Sequence, residues 1–396
     1  MSVEPYKRVL AIPGVRALLL VGLVARIPLT ASGLVLTLHV VNGQHRGFFD
    51  AGLVGAAATV GLALGAPFSG RFIDRLGLRP VLLVTTLAQL VFWVWAPFLP
   101  YPLLLPGALV GGLLGLPVFG VIRQCVAAAV PESQRRPAFA LDSMGVELSY
   151  MVGPALAVAG STALGSNTTM MLLGLGLVGS GTALLVLNPR TRTEAELEFP
   201  ETVPRRQWLT VGLITVLGTA TAATFVLTAT ELCLVALLKD RGAQGWTGLL
   251  IGIWCFYSLV GGFVYGMLPR GRSPLLLIGL LCALTAPLGL VGGPWPWLIL
   301  ALFPSGVMCA PGLASTIDTV SRWVPASARG EAMGLHGTAL TLGVAVAGPV
   351  AGSIIDAYGT GWAFAATGMI GTALVAAAVP FWRRAPQQQA ELQLQS

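Results

Sequence analysis

The sequence predicts an all-α membrane protein in which twelve transmembrane helices form two six-helix halves, and three observations support this prediction. First, the chain of 396 residues is 55% hydrophobic and only 10% charged, with a mean hydropathy of +0.81. Second, its apolar residues fall into twelve long stretches. Third, a polar, charge-rich segment divides these stretches into two sets of six. A soluble domain carries about 25% charged residues and could not cover so much apolar surface. The composition therefore excludes a soluble enzyme and a disordered protein.

Each apolar stretch is long enough to cross a bilayer as a helix, because about 20 residues at 1.5 Å rise span roughly 30 Å of hydrocarbon. The first stretch follows three basic residues, as a signal peptide would, but it is too long and lacks a small-residue cleavage site. We therefore interpret it as the first span. The expected spans are residues 17–41, 51–69, 80–99, 102–124, 139–163, 168–188, 208–238, 246–268, 274–292, 295–320, 331–357 and 361–382.

The connectors between spans are short and rich in Gly, Pro or charge, with one exception. Residues 189–207 are polar and dense in Arg and Glu, which is typical of a linker. The sequence thus predicts an N-terminal six-helix bundle over residues 1–188, a cytoplasmic linker over 189–207, and a C-terminal six-helix bundle with a short polar tail over 208–396.

A short internal repeat supports this division. The pattern V-P-x-S-x-R occurs at residues 130–135, after the fourth span, and again at residues 324–329, after the tenth. Each copy is followed in the next helix by a Gly-Pro pair, Gly153–Pro154 and Gly348–Pro349, where we expect hinges. Two parallel six-helix halves related by an axis along the membrane normal form a transporter architecture.

The basic residues predict the orientation of the helices, because cytoplasmic connectors are enriched in Lys and Arg. With both termini and the even-numbered connectors in the cytoplasm, the outer connectors hold only Arg46, Lys239 and Arg241 of the 23 basic residues. We therefore expect both termini in the cytoplasm and the protein in a bacterial inner membrane. The net charge of +7 then reflects orientation, and no nucleic-acid partner is expected.

Between the second and third spans, residues 70–79 read Gly-Arg-Phe-Ile-Asp-Arg-Leu-Gly-Leu-Arg. This segment resembles the G-x-x-x-D-R-x-G-R-[RK] signature of the major facilitator superfamily, with Leu78 in place of the usual Arg. Together with the twelve spans and the half-chain repeat, the resemblance covers essentially the whole chain. It implies a cytoplasmic cluster that latches the two halves in an outward-facing state, formed by Gly70, Asp74, Arg75, Gly77 and Arg79.

The chemistry of these residues suits such a role. Gly70 and Gly77 permit close backbone approach and a tight turn. Asp74 can accept hydrogen bonds from the amides at the N-terminus of a neighbouring helix, where the helix dipole favours negative charge. The arginines can pair with it or with lipid headgroups. These arginines could also serve only to orient the helices in the membrane. An acidic residue such as Asp74 contributes little to that orientation.

Two further features resemble the drug/proton antiporters of this superfamily. Arg123 lies at the cytoplasmic end of the fourth span, where many of them keep an Arg. Gly153–Pro154 resembles the core of their helix 5 motif, although three glycines of that motif are replaced here. The run from Ala138 to Pro154 is similar to actinobacterial drug-resistance-type facilitators. The resemblance implies proton-coupled efflux.

Charged residues within spans are candidate functional groups, because each costs roughly 2.5–3.5 kcal/mol at the bilayer centre. Arg26 and Glu147 lie at similar depth in the first and fifth spans, which the resemblance implies are neighbours in the fold, so we expect them to pair. An acid beside a cation can load and release a proton, and a static structural bridge is the alternative. Glu231 is the second candidate for binding a proton or a cationic substrate, either in a water-filled outer cavity or against His39.

The remaining candidates lie near these groups. Asp142 is expected at the cytoplasmic end of the fifth helix as a gate or cap charge. Tyr150 and Gln124 are expected to line the cavity, one near Glu147 and the other beside Arg123. His336 is interpreted as a satisfied interface residue. The five cysteines lie in apolar stretches without metal-ligand or redox spacing, so we interpret them as core residues.

The sequence therefore predicts a monomeric secondary transporter that moves a small amphipathic solute by alternating access, with lipid and protons as further partners and without a cofactor or metal. No nucleotide-binding motif occurs, so an ion gradient must supply the energy, and proton-coupled export is preferred. The closest alternative is a proton-coupled importer of a sugar, peptide or organic acid. A membrane sensor without transport is a further alternative. An enzyme is not expected, since no metal cluster or nucleophile motif is present.

Overall fold

The computed structural model describes residues 3–46, 48–193, 203–243, 246–268 and 271–395, and the regular elements in these ranges are all helical. Part of the predicted linker, residues 194–202, lies outside the described residues. We refer to the helices before this gap as the N half and to those after it as the C half.

Among the described residues the N half contains eight α-helices, six of which begin directly after a proline or glycine, residues that disfavour continuation of a preceding helix. They are α1 Glu4–Ala11, α2 Val15–Leu38 with a π-helical extension His39–Gly43, α3 Phe48–Leu76, α4 Leu78–Trp95, α5 Tyr101–Leu113, α6 Val118–Ala129, α7 Glu132–Leu164 and α8 Ser166–Leu187.

The C half repeats this arrangement, preceded by a single helical turn. Its helices are α9 Arg205–Trp208, α10 Val211–Asp240, α11 Thr247–Met267, α12 Pro274–Thr285 continued by a 3₁₀ turn Ala286–Leu290, α13 Trp297–Trp323, α14 Arg329–Tyr358 after a 3₁₀ turn Ala326–Ala328, and α15 Thr360–Gln395.

Among the described residues, ten helical segments are long and apolar enough to cross a membrane, with α5 and α6 together forming one of them. Helices also occupy the other two predicted positions. One is α7, which carries several charged residues, and the other is α12 with its 3₁₀ turn, which is a shorter apolar segment. The chain is therefore an all-helical, multi-pass membrane protein, and the number of twelve spans stays a prediction.

The side of the molecule that carries the ends of the linker also carries the C-terminus of α3 and the N-termini of α7 and α14. We call it the linker side. Two clusters of buried apolar residues fill the protein. One occupies the C half alone. The other fills the N half and continues into the linker-side ends of α13 and α14 through Ile317, Val320 and Met333. The halves therefore share apolar packing on the linker side.

The predicted hinge pairs differ in their packing. Helices α7 and α14 both continue through their prolines, Pro154 and Pro349. Gly153 contacts α2 so closely that a Cβ atom there would overlap Thr30 Oγ1 and the carbonyl of Ile27. Gly348, in contrast, has open space where its Cβ would lie. Gly153 is thus required for helix packing, and a hinge role for either pair stays a prediction.

Candidate functional site

Asp74, near the end of α3, contacts the first turn of α14 in the other half. Its Oδ1 accepts a hydrogen bond from the Gly330 amide at 3.1 Å, and its Oδ2 accepts one from the Glu331 amide at 2.8 Å. The first amides of a helix have no partner within the helix and lie at the positive end of its dipole. The carboxylate therefore supplies two missing acceptors and joins the halves on the linker side.

Close backbone packing surrounds this contact. A Cβ atom on Gly70 would overlap the carbonyl of Gly330, and one on Gly334 would overlap the backbone of Ala66. Only glycine at these positions lets α3 and α14 approach so closely. Gly77 adopts a φ of 88° in the turn between α3 and α4, a conformation that favours glycine.

Residues at both ends of the linker meet at the same point. Arg192 Nη2 donates to the Asp74 carbonyl at 2.6 Å, and Arg205 forms an ion pair with Glu331. The signature arginines Arg75 and Arg79 are exposed on the surface. The sequence pattern did not indicate Arg192 or Arg205, because linker charges are common and carry no positional signal. It did not indicate Glu331 either, because its partner Arg205 lies 126 residues away in the sequence.

Gln124 also belongs to this contact, which corrects the prediction that it lines the cavity. Its Nε2 donates to Asp74 Oδ1 at 2.9 Å, and the residue is 1% exposed. Since Gln124 follows Arg123 by one residue on α6, the two side chains point about 100° apart around the helix. One can thus face the protein interior at the Asp142 cluster while the other faces the end of α3.

The predicted pair of Arg26 with Glu147 is wrong: Arg26 pairs with Asp142. Arg26 Nη2 lies 2.7 Å from Asp142 Oδ1, and Arg123 Nε lies 3.7 Å from Asp142 Oδ2. The three side chains are almost fully buried, so Asp142 is not a charge at the helix end as expected. The physical reason is that α7 begins at Glu132, seven residues earlier than predicted, which places Asp142 about 15 Å along the helix, level with Arg26.

This cluster holds two guanidinium groups and one carboxylate, and it therefore carries an excess positive charge. The ring of Phe119 lies near both cations, with its centroid 5.1 Å from the Arg26 Cζ and 5.9 Å from the Arg123 Cζ. A nearby aromatic face offsets part of the cost of a buried cation. The single carboxylate is thus essential to the balance of charge at this depth.

Glu147 instead contacts the C half. Its Oε1 accepts a hydrogen bond from Ser258 Oγ on α11 at 2.9 Å, and Ser258 Oγ accepts one from the Ala310 amide on α13 at 3.1 Å. Five residues separate Asp142 from Glu147, so the two acids point about 140° apart around α7. One faces α2 and the other faces the second half. Ser258 lies in an apolar stretch and gave no signal in the sequence.

Glu231 and Tyr150 lie where the halves do not touch. Glu231 is exposed, and Tyr150 is 56% exposed. Within the part of the chain that the structure describes, Glu231 forms no ion pair, and its suggested partner His39 contacts Gln44 and Ser166 instead. Of the preceding threonines of α10, Thr221 and Thr224 donate to the carbonyls of Ala339 and Leu340 on α14, and the others with a hydrogen bond donate within α10. They therefore serve helix packing rather than a ligand site.

Several further hydrogen bonds join the halves on the linker side or at mid-depth. Besides those of Asp74 and Glu147, Tyr6 on α1 donates to the Phe263 carbonyl on α11, and Thr338 on α14 donates to the Ala63 carbonyl at 2.7 Å. Burial against α11 raises the pKa of the Tyr6 phenol, so this group stays a hydrogen-bond donor throughout the physiological range. Among the described residues, no group of His, Cys, Asp and Glu is arranged to hold a metal ion.

Comparison with known proteins identifies the architecture. The Major Facilitator Superfamily model matches residues 18–268 and 213–396. The solved structure of the human organic anion transporter MFSD10 (TETRAN) aligns over 92% of this chain and 99% of its own, with 18% identity and a TM-score of 0.74. A bacterial homologue of the iron transporter ferroportin, in an outward-facing state with soaked iron, aligns over 93% and 98%, with 17% identity and a TM-score of 0.72.

The proton:xylose symporter XylE aligns over 93% of this chain and 96% of its own, with 14% identity and a TM-score of 0.67. No curated protein matches the chain in sequence. Because the sequence identities are this low, the structural similarities show a shared fold and nothing about the solute.

The substitution Asp74→Asn is expected to loosen the linker-side contact, because a neutral amide accepts the two α14 amides less strongly than a carboxylate does. Hydrogen bonds to charged groups contribute about 1.5–3 kcal/mol to stability. The fraction of molecules whose linker side is open should therefore rise roughly tenfold or more. The measurement is maleimide labelling of Met333→Cys, a residue buried between the halves, in a cysteine-free background. Asp50→Asn, which breaks the pair with Arg46 near the start of α3, within the N half, is the matched control. Equal labelling rates for the two variants would contradict a joining role for Asp74.

Removing the single acid of the buried cluster should destabilise the protein more than removing one of its two cations. Asp142→Asn leaves two buried guanidiniums without a counter-ion, at a cost of about 3–5 kcal/mol. Arg26→Gln leaves the balanced pair of Arg123 and Asp142 and should cost less. Thermal unfolding in detergent, followed by size-exclusion chromatography, compares the two melting temperatures. A lower melting temperature for Arg26→Gln than for Asp142→Asn would refute this account of the charge balance.

Proposed function

The chain belongs to the major facilitator superfamily, whose members are secondary transporters, and we propose that it exports a small amphipathic solute across a bacterial inner membrane in exchange for protons. It would do so as a monomer by alternating access. The proposal includes twelve spans, the division into halves at residues 188 and 208, and both termini in the cytoplasm. Under that topology the linker side is cytoplasmic.

The observation that carries this proposal is the one-sided contact between the halves. Asp74, Gly70 and their neighbours close the linker side, while Glu231 and Tyr150 lie exposed toward the opposite side. A transporter that alternates between two openings needs a state with this asymmetry. With the linker in the cytoplasm, the described conformation corresponds to the outward-facing state.

Glu147 is the preferred site of proton coupling. It lies on a helix of the N half, at mid-depth, and accepts a hydrogen bond from Ser258 in the C half. When the halves rotate apart, this carboxylate loses its donor and its surroundings change, so its proton affinity must differ between the two states. Arg26 and Asp142 pair within one half, which favours a structural bridge for Arg26 over a coupling role.

The solute would bind between the halves, where Tyr150 offers an aromatic surface and Glu231 offers a carboxylate without an ion-pair partner among the described residues. Such a pair suits an amphipathic molecule with a cationic group. The proteins of similar fold include an organic anion transporter, a homologue of an iron transporter and a proton:xylose symporter. This range shows that the fold alone does not select a solute. An importer of a sugar, peptide or organic acid stays the alternative for direction.

The test is a substrate screen in proteoliposomes with an imposed pH gradient. Wild-type protein should move at least one amphipathic cation against its gradient, and Glu147→Gln should exchange that solute but no longer respond to the pH gradient. Asp356→Asn, an exposed acid near the end of α14, should behave as wild type.

Gradient-driven transport by Glu147→Gln would contradict the coupling role. Uptake together with protons in the same direction would establish the importer instead. Binding of a solute without any counterflow would favour a sensor.

A further inference from the structure

His336 on α14 lies at the same linker-side joint and connects three helices. It is completely buried. Arg123 Nη1 on α6 lies 3.3 Å from its Nδ1, and Thr316 Oγ1 on α13 lies 2.9 Å from its Nε2. The contact with Arg123 crosses between the halves, so the imidazole is part of the surface that closes the linker side.

The partners fix the protonation state of this ring. A guanidinium can only donate hydrogen bonds, so Nδ1 must be the acceptor. The Thr316 hydroxyl donates its one proton to the Leu313 carbonyl at 2.7 Å, so it accepts from Nε2. The imidazole is therefore neutral, with its proton on Nε2, whenever the linker side is closed in this way.

Protonation of the His336 imidazole at Nδ1 would remove its contact with Arg123. It would place an N–H on Nδ1 against an N–H of Arg123, so that two donors and two positive charges would face each other in a buried site. The cluster next to it already carries one excess positive charge, from Arg26 and Arg123 against Asp142. Repulsion at such a site is poorly screened, and separation of the halves would relieve it.

Other groups around α14 do not compensate for a charge on His336. The ionisable groups of α3 and α13 closest to this level, Asp74 and Asp318, are engaged by the amides of α14 and by Arg322. Glu331, on α14 itself, pairs with Arg205. The acid of α10, Glu231, lies beyond the threonines that pack on α14, roughly 20 Å along the helix. Helix α15 contains no ionisable residue between Thr360 and Trp382.

We propose that His336 is a proton-binding site that controls the linker-side gate: the neutral imidazole holds Arg123 and keeps the gate closed, and the protonated imidazole favours its opening. The proposal rests on alternating access as the proposed function, but it does not depend on the solute or on the direction of transport. Because the closed state excludes the second proton, closing releases it, and acidification must favour the open state.

The expected size of the effect follows from the ordinary behaviour of histidine. An imidazole that becomes accessible to water in the open state can gain a proton in the range where histidine ordinarily changes its charge, between about pH 5 and pH 8. The ratio of open to closed molecules should then rise about tenfold between pH 8 and pH 5.5.

The experiment measures the distance across the gate by pulsed electron spin resonance in nanodiscs. Spin labels are placed on Ser133→Cys at the start of α7 and Arg272→Cys before α12, both exposed residues on the linker side, in a cysteine-free background. Distance distributions are recorded at pH 8 and pH 5.5. The test variant is His336→Gln, whose amide can accept from Arg123 and donate to Thr316 but does not titrate in this range. The matched control is His39→Gln, the other buried histidine, which contacts only the N half.

Wild type and His39→Gln should shift toward the longer distance at pH 5.5, while His336→Gln should lose most of this shift. Arg123→Gln, which leaves Arg26 and Asp142 as a balanced pair, should reduce the shift as well and serves if His336→Gln fails to fold. A pH-independent distance in wild type, or a full shift in His336→Gln, would overturn the proposal. In either of those cases, transport of a solute in the proteoliposome assay would leave the proposed function standing.

Discussion

The hydrogen bonds between Asp74 and the first amides of α14 are the interaction on which the described conformation depends. Each half has its own apolar helices, and lipid-facing surfaces provide no hydrophobic force to bring the halves together. Directional polar contacts must therefore define how they meet. A carboxylate at a helix N-terminus gives strength without a long side chain, and the glycines around it allow the backbones to touch. The contact is strong enough to define a state and local enough to be broken by rotation.

The balance of charge among buried side chains is the second constraint on the described conformation. The buried layer below the contact holds Arg26, Arg123 and Asp142, and it reaches the other half through His336. A neutral histidine can accept from Arg123 without adding charge, and its own charge ordinarily changes near neutral pH. The same layer thus stabilises the N half and contacts the C half through His336 when the linker side is closed. Glu147 faces away from this layer and contacts Ser258 of the C half at mid-depth.

The sequence predicted the features that follow from composition and local chemistry. Helices lie at the expected positions because long apolar stretches leave few alternatives, and the contact of Asp74 with a helix N-terminus follows from what a carboxylate can do there. The sequence did not predict the contacts that depend on how each helix is rotated about its axis. Asp142 and Glu147 differ by five residues, and an error of seven residues in the start of α7 exchanged their roles. The contact of Gln124 with Asp74 depends on the same rotation, and the partners of His336 lie on two other helices, where no pattern along the chain indicates them.

The most direct test of alternating access across the linker side is a reversible cross-link between the two halves. Thr338 of α14 donates to the carbonyl of Ala63 of α3, so cysteines at these two positions in a cysteine-free background should be joined by a short bifunctional methanethiosulfonate reagent in the described state. We expect the cross-linked Ala63→Cys/Thr338→Cys protein to transport no solute in proteoliposomes, and we expect reduction to restore transport. Undiminished transport by the fully cross-linked protein would contradict alternating access across the linker side.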